Sequence, residues 1–409
     1  MAARQARSSK GKDSKADRID ERGVAKAPAA FSQLLFEWAP PEDLAAYDEG
    51  ALASAAHLGY AALESWRKGK SIIRIDDGVT RRGRPVSVVT VVNDNMPFLL
   101  DSVMGELGER TSQIFMVVHP ILDIAREKDG IAAQSGARQK VPAKGFDRVS
   151  VVQIHLSVLD KAGKADLTAA LKRVLGQVRA AVGDWKSMLK HIDAAIADYK
   201  RVHALTGAAA MPEAIAFLEW LRDDHFVFLG LRELTFEGKG QKRELVSMGE
   251  PLGILADNEV RVLRKDDGDT VTPRETANFL DSAEPLIVTK ANTMSLVHRR
   301  TYLDYIGIKI FGPEGEAVGE LRVVGLFTEV AYISSVFGIP FIRSKADEVI
   351  RALGFNPADH SGKALVSVLE EYPRDELFQI DVESLTGNAE LILALGERPR
   401  VRALPRIDR

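Results

Sequence analysis

Six of the seven residues in the run VSVVTVV (86–92) are β-branched. Side chains stiff at χ1 favour a pleated strand, and a run without polar alternation is the signature of a strand covered on both faces. The run ends at Asn93-Asp94-Asn95, meets Pro97, and gives way to Leu99, Val103 and Leu107 at helical spacing. The chain thus turns a corner from a buried strand into a helix that lays one apolar stripe on a sheet.

Around that corner the pattern runs strand, helix, strand, strand, helix. QIFMVVHPILDIA (113–125) reads as a second strand, with Pro120 marking an edge or bulge. RVSVVQIHLSV (148–158) alternates, Val152, Ile154, Leu156 and Val158 on one face and Gln153, His155 and Ser157 on the other, a face expected to meet water or a partner. Asp166 is the expected N-cap of the next helix, whose stripe is Leu167, Leu171, Val174, Val178 and Val182. This order is most of a ferredoxin-like unit, with helices on one face of an antiparallel sheet. No fourth strand follows the second helix, and SIIRI (71–75) is a candidate for the vacant place.

The flanking segments divide as follows. Residues 1–30 are too polar to bury and predict a disordered tail; residues 31–70 predict a helical preface, closed by Gly69. The ferredoxin-like domain takes 71–183 and a helical connector 184–224. A strand-rich, mostly antiparallel five-stranded domain occupies 225–338, its strands read as FVFLGLRELTF, PLIVTK, SLVHR, YIGIKIF and AVGELRVVGLF. GPEGE (312–316) predicts a hairpin between the last two, and the polar stretch 263–279 a surface loop with a short helix. Helices return over 339–395, with starts at Ser344 and at His360-Ser361, and the basic residues 396–409 read as a linker to a domain beyond this chain. The fold class is α+β.

Composition excludes more than it assigns. The 409 residues are 45% hydrophobic and carry a net charge of -3, ample for globular cores and without a global field for nucleic acid or anionic lipid. There is no cysteine, hence no disulfide or thiolate chemistry, and cytoplasm is the default location. No run reaches the roughly 18 apolar residues of a membrane helix. Walker A, G-x-G-x-x-G and G-x-S-x-G motifs are absent, and the eight histidines never adopt zinc-ligand spacing.

Three polar groupings remain. Asp223-Asp224 beside His225 could serve acid-base chemistry or simply solvate a loop. His298-Arg299-Arg300 could hold a phosphate or carboxylate or end an exposed edge strand. At the corner, a helix N-terminus offers unpaired N–H groups to a small anion, with Asn93, Asp94 or Asn95 able to cap the helix or meet an ammonium group. The same residues would serve a purely structural corner, because helix N-termini need caps with or without a ligand.

The corner resembles the ACT domain, a ferredoxin-like regulatory module that in many enzymes of amino-acid metabolism binds amino acids at its first strand-to-helix loop. ACT loops commonly read Asp-x-Pro-Gly-Leu-Leu; here Asn95-Met96-Pro97-Phe98-Leu99-Leu100 stands in that place, with Asn95 for Asp and Phe98 for Gly. The resemblance implies a ligand site at Asn93, Asp94, Asn95, Met96 and Phe98. More widely, VVNDNMPFLLDSVMGEL, EAIAFLEWLRDDHFVFLGLREL, LIVTKANTMSLVHRRTYLDYIGIKIF, GELRVVGLFTEVAY and IPFIRSKADEVIRALGF are similar to the N-terminal region of the large bacterial NAD-dependent glutamate dehydrogenases. That resemblance implies an ACT-type domain, a PAS-like β-rich domain and a helical motif, with no catalytic residue and no cofactor here. NAD would belong to a downstream catalytic domain, which with further copies of the chain and an amino-acid effector would be the partners. A free-standing amino-acid-sensing module acting on a protein partner, or a purely structural oligomerisation module, are the alternatives.

Overall fold

The computed structural model describes residues 26–110, 113–127, 130–237, 244–262 and 278–395. Most of the expected tail, the stretch 263–277 and the expected linker 396–409 lie outside the described residues. Contacts divide the chain into two compact units, one of Met1–Val178 with Leu296–Arg299, the other of the remaining residues.

The first unit is built on β1 (Ile72–Arg81), β2 (Arg84–Asp94), β3 (Ile114–Val118), β4 (Ile121–Glu127), β5 (Gly130–Gly136) and β6 (Asp147–Leu156). The sheet order is β1-β2-β6-β4-β5, with β3 also paired to β6, and every pairing is antiparallel. The segment beginning at SIIRI therefore takes the vacant place beside β2. It does so through a tight hairpin: Arg81 pairs with Arg84, and Arg82 and Gly83 between them adopt φ of 46° and 72°, the two positive values of a type I′ turn. Pro120 breaks the expected second strand into β3 and β4, and β5 adds an edge strand that GIAAQSG did not announce.

Val86 to Asn93 of β2 are all buried, as a strand covered on both faces requires. One face packs Val89 and Val91 with Val152 and Ile154 of β6 against Leu99, Val103 and Leu107 of α4 (Leu99–Arg110) and Leu167, Leu171 and Leu175 of α5 (Lys161–Thr206). The helix α5 starts earlier than expected, because Asp160, not Asp166, accepts an N–H of its first turn, that of Gly163, at 2.7 Å.

The second face corrects the expectation of water. The helical preface, α1 (Ala29–Phe36), α2 (Pro41–Leu44) and α3 (Glu49–Ser65), covers it, so that the sheet has helices on both sides. Ala51, Ala55, Ala56, Gly59 and Ala62 give α3 a thin buried face, and a Cβ at Gly59 would stand 3.2 Å from Gln153 Nε2. Gln153 and His155 are both fully buried there. Gln153 Nε2 donates to the Ala55 carbonyl at 2.9 Å, and its Oε1 lies 3.3 Å from His155 Nε2, whose Nδ1 is 3.1 Å from the Tyr47 hydroxyl. Burial pushes His155 down to about 4 and Tyr47 up to about 12, so both are neutral near pH 7.

The second unit has β7 (Phe226–Glu237), β8 (Glu244–Gly253), β9 (Leu286–Met294), β10 (Tyr302–Phe311) and β11 (Ala317–Phe327) in the order β8-β7-β11-β10-β9. Five antiparallel strands were expected, but their membership differs. SLVHR is not a strand, since His298 takes φ of 67° and cannot continue an extended chain. The fifth place goes to β8. GPEGE does close the β10–β11 hairpin, Gly312 N–H donating to the Glu316 carbonyl at 2.8 Å.

One face of this sheet packs Phe228, Ile306, Ile308 and Val323 against Ile192, Ile196 and Tyr199 of α5 and Phe217 and Leu218 of α6 (Met211–Trp220). The expected connector is therefore no separate element at its start: α5 runs unbroken for 46 residues. The helices Ile342–Leu353, His360–Glu371, Arg374–Gln379 and Val382–Leu393 form their own core around Val349, Leu365, Leu369 and Leu385. Two ion clusters bind them to the sheet and α6. Glu213 accepts from Arg343 at 2.9 and 2.7 Å, and Lys290 bridges Asp304 at 2.7 Å and Asp375 at 2.9 Å. Burial pushes Asp304 up to about 6 against the pull of Lys290.

The His155 environment sets a pH dependence. An unfolded histidine takes up its proton near 6.5, the folded one only near 4. Its stability contribution is then complete above about 6.5 and is lost as pH falls toward 4. Denaturant titrations across that window should show the loss, and His155→Leu should remove that part of the slope while costing about 1–3 kcal/mol for the groups left unpaired.

Candidate functional site

The corner after β2 is tied down on both sides. Asn93 is buried; its Oδ1 accepts from the Ser71 hydroxyl at 2.7 Å and its Nδ2 donates to the Asp94 carbonyl at 2.9 Å. The Asp94 carboxylate accepts the Gly69 N–H, at 3.0 and 3.2 Å to its two oxygens. Asn95 Oδ1 accepts from the Ser150 hydroxyl at 2.8 Å, while its N–H donates to the Arg148 carbonyl at 3.0 Å. The three expected residues are thus brought together, with side-chain oxygens engaged by the approach to β1 and by β6. Met96 is half-buried and Pro97 precedes the helix, where a missing N–H costs nothing.

Phe98 holds φ of 66°, the left-handed region that glycine enters freely and other residues enter at a cost. That is the physical content of a glycine at this place in ACT loops. Here the chain keeps the conformation and adds a ring. The Phe98 carbonyl accepts both the N–H and the hydroxyl of Ser102, at 3.0 and 2.6 Å. The segment Leu296–Arg299, which clusters with this unit, closes over the same turn. His298 N–H donates to Ser102 Oγ at 2.9 Å, its Nδ1 lies 3.1 Å from Asp101 Oδ2, and its ring centre is 5.0 Å from that of Phe98. Ser71, Ser102 and Ser150 are not singled out by the sequence, and His298 is singled out there only with Arg299 and Arg300, not as a neighbour of this corner. The first three carry no signal beyond being hydroxyls, and His298 is 200 residues from Phe98 in the chain.

The other polar groupings have structural roles. Asp223 and Asp224 lie in a π-turn, Leu221–His225, with Asp224 at φ of 57°. The His225 ring stacks on Trp220 at 4.5 Å and its Nδ1 sits 2.9 Å from the Trp220 carbonyl. His298 and Arg299 belong to the segment at the corner and do not end a strand. Among the described residues, no group of three histidine or acidic side chains could hold a metal ion, and no helix is long and apolar enough to cross a membrane.

Sheet order, corner and helical layers define an α+β module of the ACT type in the first unit. Residues 31–173 match the family described as glutamate dehydrogenase, ACT1 domain, a span that takes in the helical preface. Residues 339–398 match glutamate dehydrogenase, helical motif 1. The chain is 33% identical over 323 residues to the NAD-specific glutamate dehydrogenase of Halomonas elongata and 33% identical over 331 residues to that of Pseudomonas aeruginosa, in each case about four-fifths of this chain, 78% and 79%, and 20% of the relative. The enzyme of the same name from Mycobacterium tuberculosis is 25% identical over 323 residues, 78% of this chain and 18% of the relative. By these matches the chain is related to the NAD-specific glutamate dehydrogenases along their N-terminal region. It spans about a fifth of the length of those relatives.

Strain at Phe98 can be measured with a pair of variants. Phe98→Ala and Phe98→Gly both remove the ring, but only glycine relieves the positive φ. The glycine variant should be the more stable by about 1 kcal/mol in urea denaturation. Equal stabilities would place no strain at this turn.

Proposed function

We propose that this chain is the non-catalytic regulatory and assembly region of an NAD-specific glutamate dehydrogenase. The whole protein would convert L-glutamate, NAD and water to 2-oxoglutarate, ammonium and NADH. The observation that carries this reading is the conjunction of ACT1 and helical motif 1 matches in one chain with 33% identity to two such enzymes. NAD is then held by a part of the protein that this chain does not cover, and no cofactor is assigned to residues here.

The second unit is read as a PAS-like module, a reading supported by its five antiparallel strands and by helices packed on one sheet face. Partners are the protein's own catalytic domain and further copies of the chain, with an amino acid as effector and the cytoplasm as location. At the corner, the effector reading puts a ligand carboxylate on the N–H groups around Met96 to Phe98. The hydrogen bonds already made by Asn93, Asp94 and Asn95 favour a structural corner instead.

The purified 409-residue chain should form no NADH when given L-glutamate and NAD. Steady glutamate-dependent absorbance growth at 340 nm would overturn the assignment of a non-catalytic role.

A further inference from the structure

We propose that the cleft between α1 and the β4–β5 edge of the first sheet binds a small zwitterion, which presents its carboxylate to Arg138 and its ammonium group to Glu37. This site lies apart from the corner, and the inference stands whether or not the dehydrogenase reading holds.

The cleft consists of two adjoining cavities of about 650 and 580 Å³, both lined by Leu34, Glu37, Gly136 and Arg138. Either is within the range of small-molecule pockets, roughly 300–1,000 Å³. Glu37 and Arg138 stand 3.6 Å apart, their side chains 38% and 83% exposed. A pair so exposed is held weakly and opens at little cost. A ligand carrying both charges replaces it and leaves neither partner alone. A simple anion would instead face Glu37, and a simple cation Arg138.

A second observation is independent of that pair. His119 Nε2 and Gln134 Oε1 are buried and have no hydrogen-bond partner in the structure. Buried polar atoms of this kind are nearly always satisfied, and an orphan needs a physical reason. Gln134 is among the residues lining the larger cavity and His119 among those lining the smaller. Burial lowers the His119 pKa against the pull of Asp101, so the imidazole is neutral near pH 7 and offers one hydrogen bond without adding charge. The Gln134 amide oxygen can accept from an ammonium N–H.

The remaining walls suit the same ligand. Asp123 also borders the cleft, but Arg148 takes both its oxygens, at 2.8 and 2.9 Å, so it does not compete for a cation. Trp38, 84% exposed, borders the smaller cavity. Its indole offers a flat face to an aliphatic side chain or to the ammonium charge. At the floor, a Cβ on Gly136 would touch Leu34 Cδ2 at 3.4 Å.

Isothermal titration of the full chain with L-alanine, L-glutamate, acetate and methylammonium tests the proposal. Saturable binding of an amino acid is expected, at least tenfold weaker in Glu37→Gln and in Arg138→Gln and unchanged in Asp94→Ala. Both cleft variants alter exposed side-chain ends and should melt like the parent. Three results would overturn the assignment: no heat from either amino acid, acetate or methylammonium binding as tightly as alanine, or loss of binding in Asp94→Ala with none in Glu37→Gln.

Discussion

The hydrogen-bond relay from Tyr47 through His155 and Gln153 to the Ala55 carbonyl fixes how the first unit is layered. Three polar groups inside an apolar interface cost about 1–3 kcal/mol each if unpaired, so α3 can dock only where the relay closes. The relay thereby selects one register for the preface among the sliding positions that a stripe of alanines would otherwise tolerate. With α3 in place, Phe31 and Leu35 of α1 join the same core and α1 lies along β5. The cleft between α1 and that edge is therefore a by-product of an interaction on the far side of the preface.

Much of the architecture was legible, and the reasons are specific. The valines of β2 and the Leu99, Val103 and Leu107 stripe are periodic signals, read without knowing any neighbour. GPEGE was equally local. Several of the errors concern choices made by distant residues. Gln153 and His155 look solvent-facing because alternation reports two faces and cannot say what covers the second one. SLVHR has strand composition, yet His298 is held at a positive φ beside Phe98 and Ser102. Asp160 caps α5 in place of Asp166, which pairs instead with Arg110 of α4. Of the corner, the residue types were visible in the sequence but their partners, Ser71, Ser150 and Gly69, were not.

The second unit shows the complementary case of charge used as a fastener. Lys290 reaches from β9 to Asp304 on β10 and to Asp375 on the Arg374–Gln379 helix, joining sheet and helical motif through one ammonium group. Breaking such a half-buried cluster strands the remaining charges, so it specifies an orientation more than it adds stability. Phe327 of β11 and Phe378 stack beside it at 4.9 Å and 7° between planes, supplying apolar contact where the ions supply direction. A family match that begins at residue 339 thus marks a sequence unit rather than a mechanically separate one.

The hairpin of β1 and β2 changes the time at which the first sheet can close. In the usual ferredoxin-like order, the strand beside the first one arrives at the end of the domain, and the pairing waits for a long loop to close. Here the neighbour precedes β2 with only Arg82 and Gly83 between them. Contact order drops for that pairing, and local pairings form on microsecond scales while ribosomal synthesis adds about 5–20 residues per second. A nascent chain can therefore zip its central valine strand to one side before β6 exists, and α5, released from leading back to the sheet, is free to keep going.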